Sequence, residues 1–172
     1  MSRIWVGRAR SAFGSLTAIR QMALPTKVYH YDLMGGKRNG RPGGGIVGRR
    51  LDCPEGAARY LCRTIGHSPV EHLSVIYLCP DNAVLGEEIY SDQSAAQVTV
   101  VLRQIVKCAL GLNAQRLVFG HNHPSGDPEP SRDDVHLTGL AWRTCRAIEI
   151  TMLDHIVVAG DRWVSMLRRG MM

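Results

Sequence analysis

Apolar positions recur at regular spacing only beyond about residue 50. Ala57, Ala58, Leu61 and Ile65 return at helical spacing, behind a cap at Asp52 or Cys53, Pro54 at the first helical position and Glu55 in the first turn. Gly66 stops that helix. Residues His72 to Cys79 (HLSVIYLC) read as a strand, Pro80-Asp81-Asn82 as a turn, and Ala83 to Tyr90 as the returning strand of a hairpin. Ser91 to Ser94 offer caps for a long helix ending at Leu110-Gly111, with Val98, Val101, Leu102, Ile105, Val106, Ala109 and Leu110 as its core face. A strand from Gln115 to Gly120 follows, then a helix after Ser131 carrying Val135, Leu137, Leu140, Ala141, Cys145 and Ile148. Glu149 to Ala159 and Arg162 to Leu167 close the pattern as two strands turning at Gly160-Asp161. Strands mixed with three helices in this order predict an α/β or α+β layered fold, one mixed β-sheet flanked by helices.

Residues 1–50 lack this regularity. They hold half of the eighteen glycines, including Gly35-Gly36 and Gly43-Gly44-Gly45. Ordering so much glycine costs more backbone entropy than the few apolar side chains offset, so this segment reads as a poorly structured arm, with a short amphipathic piece around Ile4 to Leu24. The division expected is therefore an arm over 1–50 and a regular domain over 51–172.

Charge sharpens the same boundary. The chain of 172 residues has a net charge of +6, but the arm carries ten Lys/Arg against Asp32 alone, and the remainder has eleven bases and fourteen acids. A +9 arm suits contact with nucleic acid or another polyanion, and equally suits a solvated basic tail. Its Arg- and Ser-containing, acid-poor start resembles a transit peptide, without the apolar core of a secretory signal. Over the whole chain, 45% hydrophobic and 21% charged residues read as soluble and globular. No apolar run is long enough for a bilayer. Five cysteines without a Cys-x-x-Cys pair argue against a disulfide framework and for a reducing compartment, the cytoplasm; Cys62, Cys108 and Cys145 sit in apolar helical contexts.

The candidate chemistry lies in His121-Asn122-His123-Pro124-Ser125-Gly126-Asp127-Pro128-Glu129-Pro130-Ser131-Arg132-Asp133-Asp134. On an extended strand, side chains at i and i+2 share a face, so His121 and His123 reach one point together. Three prolines and Gly-Asp then force a loop. Ser131 reads as a helix N-cap with Asp134 three residues on, a variant of the capping box, which returns Asp134 towards the histidines. Two imidazoles and a carboxylate make a three-ligand metal site with an open fourth position, the arrangement of a catalytic zinc, one per chain. Such ligands also suit iron or manganese. The bland alternative is a Pro-rich turn capped by serine and merely lined by histidines. Asp127 reads as a turn-former and Asp133 as a solvent-facing acid at the helix start. His155, in Asp154-His155, reads as a satisfied core histidine or as a partner that supports a ligand from behind.

The spacing His-x-His, seven residues, Ser, two residues, Asp resembles the metal-binding signature of the JAMM (JAB/MPN+) metalloprotease family, and HNHPSGDPEPSRDD resembles its bacterial RadC-type branch, over about Glu71 to Arg168. The resemblance implies a JAB/MPN-like mixed sheet with flanking helices and a zinc held by His121, His123 and Asp134. It implies that a glutamate just ahead of the first core strand manages protons, the place of Glu71, with Glu87 and Glu88 as rivals whose bland alternative is a pair of solvent or edge charges. It implies that the Ser131 hydroxyl steadies an oxyanion. The activity it implies is hydrolysis of peptide, isopeptide or related amide bonds, with a peptide or protein substrate. RadC-type proteins also carry an association with DNA repair, so the alternative is an accessory protein held on DNA by its arm, with a structural or vestigial metal site. The helix-hairpin-helix-like module usual in such proteins is not evident here. Nucleic-acid hydrolysis is a weaker option, less attractive for one metal than for two. The oligomeric state is not legible.

Overall fold

The structure is a computed structural model that describes residues 28–32, 36–39, 46–91 and 98–172, with side-chain surroundings for 46–91 and 101–172. In chain order its elements are β1 (Val28–Asp32), β2 (Gly36–Asn39), α1 (Pro54–Thr64), β3 (His72–Leu78), β4 (Val84–Ser91), α2 (Val98–Gly111), β5 (Arg116–Asn122), α3 (Arg132–Ala147), β6 (Thr151–Ala159) and β7 (Arg162–Ser165). Five strands form a mixed sheet in the order β4-β3-β5-β6-β7, and β1 and β2 extend it beyond β4. The β3–β4, β3–β5 and β6–β7 pairs are antiparallel. The parallel pair β5–β6 is joined through α3, as a parallel connection requires a crossover.

The basic segment contributes more than charge. Tyr29 to Asp32 pair with Asn39 to Gly36, and Val28 to Tyr31 run parallel to Glu87–Tyr90 of β4. Val28, Tyr29 and Tyr31 are strand formers, and within the segment expected to be a poorly structured arm the residues 28–32 and 36–39 form two short strands. The amphipathic piece expected around Ile4 to Leu24, and the caps expected within 92–94, lie outside the described residues.

Strand alternation sorts the core into two layers. Ile76, Leu78, Ile89, Val118, Ile156 and Val158 pack with Ala57, Ala58 and Leu61 of α1 on one face. On the other, Leu73, Val75, Tyr77, Leu117, Phe119 and Met152 pack against Val101, Leu102, Ile105 and Ala109 of α2 and Ala141 and Cys145 of α3. The central strands β3 and β5 are buried on both faces, which is why they read as continuous apolar runs rather than alternating ones. The α1 layer approaches β5 closely: a Cβ built on Gly120 would lie 2.3 Å from Leu61 Cδ1. In α3 the buried positions are Thr138, Ala141 and Cys145, whereas Val135 is exposed. Thr138 faces the sheet, where it meets His155 of β6.

A one-residue bulge in β6 decides which way His155 faces. Leu117 pairs with Met152 but Val118 pairs with Asp154, leaving Leu153 as the extra residue. Every later residue of β6 thereby shifts face, and His155 falls opposite Phe119, on the side of α3.

Candidate metal centre

The site is built where β5 ends and α3 begins. His121 and His123 stand on the α3 face of β5, and the His123 N–H continues the strand pairing by donating to Val158 C=O at 2.9 Å. The chain then turns: Gly126 takes φ 84° and its N–H donates back to His123 C=O at 3.1 Å. Asp127 serves the turn, its Oδ1 accepting from Glu129 N–H at 3.2 Å. At Ser131 the helix opens with a reciprocal capping box. The Asp134 N–H donates to Ser131 Oγ at 3.1 Å, and the Ser131 N–H and hydroxyl donate to Asp134 Oδ2 at 2.7 and 2.6 Å.

This brings three donors together. His121 Nε2 lies 3.0 Å from Asp134 Oδ1 and 2.9 Å from His123 Nε2, while His123 Nε2 is 3.4 Å from Asp134 Oδ2. Among the described residues these three form a group that can hold a metal ion. Their side chains are 10–15% exposed, so the cluster is recessed and still reached by solvent. Burial by itself raises the Asp134 carboxyl, but hydrogen bonding and charge from His121 and the donors of Ser131 outweigh it and hold the group well below the usual carboxylate range. Asp134 is therefore an anion, as a ligand must be.

Behind the donors lies a buried polar layer. His123 Nδ1 is 2.8 Å from Asp127 C=O. His121 Nδ1 is 2.8 Å from His155 Nε2, and His155 Nδ1 is 2.6 Å from Thr138 Oγ1, whose hydroxyl reaches Asp134 C=O at 2.6 Å. His155 is fully buried; desolvation, then the neighbouring His121, pushes it far below the ordinary histidine range, so it is neutral. It is not among the donors that converge with Asp134. Asp154 faces the other way and fastens the C-terminal turn, accepting from His155 N–H at 2.8 Å, Ser165 Oγ at 2.6 Å and Leu167 N–H at 3.1 Å.

Glu71 is exposed and immediately precedes β3. Leu73 pairs with His121 at the end of the β3–β5 register, and Glu71 lies two residues ahead of it, outside the strand and outside the group formed by His121, His123 and Asp134. The main chain on both sides of Glu71 is pinned by Asn122, a residue without a role in the sequence reading. Asn122 Oδ1 accepts from His72 N–H at 2.8 Å, and its Nδ2 donates to Val70 C=O at 3.0 Å and Ser68 C=O at 3.3 Å. The signal was present: a residue between two histidines on a strand must face away from them.

The rivals of Glu71 are not surface charges. Glu87 and Glu88 are both buried. Ser74 Oγ donates to Glu87 Oε1 at 2.7 Å and the Tyr60 hydroxyl to Oε2 at 2.5 Å, on the α1 side. Glu88 Oε2 accepts from the hydroxyls of Tyr77 and Tyr90 at 2.5 and 2.6 Å. Neither belongs to the group formed by His121, His123 and Asp134. Among the described residues no helix is long and apolar enough to cross a membrane.

A family model described as the RadC-like JAB domain matches residues 51–171. The chain belongs to the RadC-like JAB domain family. The match covers β3 to β7 and all three helices, and omits β1 and β2. Within this RadC-like family, the chain is similar to a UPF0758 protein of Bordetella avium, 34% identical over 127 residues that make up 73% of this chain and 56% of that protein. It is likewise similar to a UPF0758 protein of Pseudomonas fluorescens, 37% identical over 120 residues, 70% of this chain and 54% of that protein. The chain thus spans about half the length of the curated relatives it matches, and the name UPF0758 states no activity.

Proposed function

We propose that this RadC-like domain is a zinc-dependent hydrolase that cleaves peptide, isopeptide or related amide bonds. The observation that carries the reading is the convergence of two imidazoles and an ionised carboxylate at 2.9–3.4 Å. Donors held at tetrahedral angles on bonds of about 2.0–2.1 Å stand roughly 3.3 Å apart, so the three match a small divalent ion. A zinc ion at that point supplies a water acidic near neutrality and polarises a substrate carbonyl.

The chain's own residues supply the rest. His121, His123 and Asp134 hold the ion. Glu71, just ahead of the strand that pairs with β5 and open to solvent, takes a proton from the attacking water and returns it to the leaving amine. Ser131 orients Asp134 through the capping box, and its hydroxyl is the donor we assign to the developing oxyanion once Asp134 commits its carboxylate to the ion. The five cysteines, all free thiols, suit the cytoplasm.

Elemental analysis of purified protein beside His123→Ala and Asp134→Ala tests the metal. About one zinc per chain in the parent, lost in both variants, is expected from the three-ligand site. A parent that takes up no zinc sinks the reading. A survey of amide- and isopeptide-linked substrates with Glu71→Gln as control then tests the chemistry: activity that survives in Glu71→Gln removes that residue from it.

A second reading draws on the charge of residues 1–50. DNA held by this segment would bind with an affinity falling steeply with salt and weakened by Lys37→Glu with Arg38→Glu, while zinc content stays unchanged.

A further inference from the structure

The polar layer behind the donors has a direction, and the direction can be read from one end. The Asp134 main-chain carbonyl only accepts hydrogen bonds. The Thr138 hydroxyl, one helical turn on, therefore donates to it at 2.6 Å, the back-bond that threonine makes to the carbonyl four residues earlier. Met166 Sδ at 3.4 Å is the other acceptor within reach, longer and weaker. A hydroxyl has one hydrogen. With it spent, Thr138 Oγ1 meets His155 Nδ1 as an acceptor, so the hydrogen between them at 2.6 Å belongs to His155 Nδ1. A neutral imidazole protonated at Nδ1 has a bare Nε2, and that atom faces His121 Nδ1 at 2.8 Å. The hydrogen there must come from His121. With Nδ1 protonated, His121 presents the Nε2 lone pair, which is the atom facing His123 and Asp134. His123 reaches the same state by a shorter path, through the Asp127 carbonyl.

We propose that His155 and Thr138 are positioning residues that select the Nδ1-protonated tautomer of His121, aim its Nε2 at the metal, and lock its strand to the helix that carries Asp134. The inference rests on the zinc reading above. The chain of contacts is a closed circuit: His121 on β5, His155 on β6, Thr138 on α3, and back to Asp134, whose carboxylate meets His121 on the metal side. A strand and a helix are thereby held at one spacing by groups that solvent does not reach, since Thr138 and His155 are both fully buried. The β6 bulge at Leu153 is part of the device, because without it His155 would face α1.

The test uses the zinc-loaded full chain. Long-range proton–nitrogen spectra of the histidine rings should show His155 protonated at Nδ1 and bare at Nε2, and His121 protonated at Nδ1. Competition with a chromophoric chelator should show zinc held about 10–100-fold more weakly by Thr138→Val, the usual cost of removing an outer-shell partner, and recovered to within about threefold by Thr138→Ser. His155 protonated at Nε2, or Thr138→Val binding zinc as tightly as the parent, overturns the proposal while leaving the metal site standing. A parent that takes no zinc overturns both. Should Thr138→Val not fold, the ring spectra of the parent and the affinity of Thr138→Ser decide, and a Thr138→Ser protein weakened tenfold or more counts against the relay.

Discussion

Asn122→Ala separates the placing of Glu71 from the holding of the metal. Asn122 is fully buried and makes three hydrogen bonds to the main chain of residues 68–72, at 2.8, 3.0 and 3.3 Å. At about 1 kcal/mol net for each, and more where a group is left unpaired, the variant loses about 3 kcal/mol. In a chain of this size each kcal/mol is worth roughly 2–4 °C, so the melting temperature falls by about 6–12 °C. The loss is also local. The amide of His72 should exchange with solvent much faster in the variant, because its acceptor is gone. The donors on His121, His123 and Asp134 take no bond from the Asn122 side chain, so zinc affinity stays within about threefold, well short of the 10–100-fold of an outer-shell partner. Melting curves, amide exchange at residues 68–72 and chelator competition measure the three quantities. A melting temperature unchanged within a degree, or a His72 amide as protected as before, refutes the clamp. A tenfold loss of zinc would show that the clamp and the metal centre are one unit.

Three further outcomes are expected from the packing around the site. Gly120→Ala forces a Cβ against the buried Leu61 side chain and should cost about 1–3 kcal/mol; adding Leu61→Ala, itself worth about 2–5 kcal/mol, makes the double variant more stable than the sum of the singles by 1 kcal/mol or more in urea titrations, and additivity within about 0.5 kcal/mol rejects the contact. Tyr60→Phe removes the donor to the buried Glu87 carboxylate and should cost about 1.5–3 kcal/mol by the same measurement; since burial and the Glu87 charge push the Tyr60 hydroxyl far above the ordinary tyrosine range, its absorbance should also not titrate before the protein unfolds in base. Asp154 is raised, chiefly by burial, so the folded state holds its proton more firmly than the unfolded chain does. Its contribution is complete below the usual carboxylate range and declines as pH rises through the raised value, so the parent should lose stability relative to Asp154→Asn across that interval and then level off. A pH-independent difference between the two would show that Asp154 does not titrate differently in the fold.

Local chemistry was enough for much of this molecule. Pro54 ahead of Ala57, Ala58 and Leu61, the turn at Pro80-Asp81-Asn82 and the caps around Ser131 act through neighbours a few residues apart, so α1, the β3–β4 hairpin and the start of α3 are legible without any tertiary contact. The metal donors belong here too: two come from alternation on one strand and the third from a capping box that ties Asp134 to Ser131, all within fourteen residues. The long-range choices were not legible. Glu87 and Glu88 read as edge charges because a carboxylate is buried only when partners distant in sequence arrive, here Tyr60, Ser74, Tyr77 and Tyr90. Helical spacing of apolar residues in α3 marks a face but not the side of it that meets the sheet, and Thr138, a polar residue, is fully buried there while Val135 is exposed. The strands at 28–32 and 36–39 form where β4 offers an edge to pair with, which the local glycine content does not reveal. Asn122 and His155 show the same division. Alternation says which way each can face, whereas only the register between β3, β5 and β6, one bulge included, decides what each one meets.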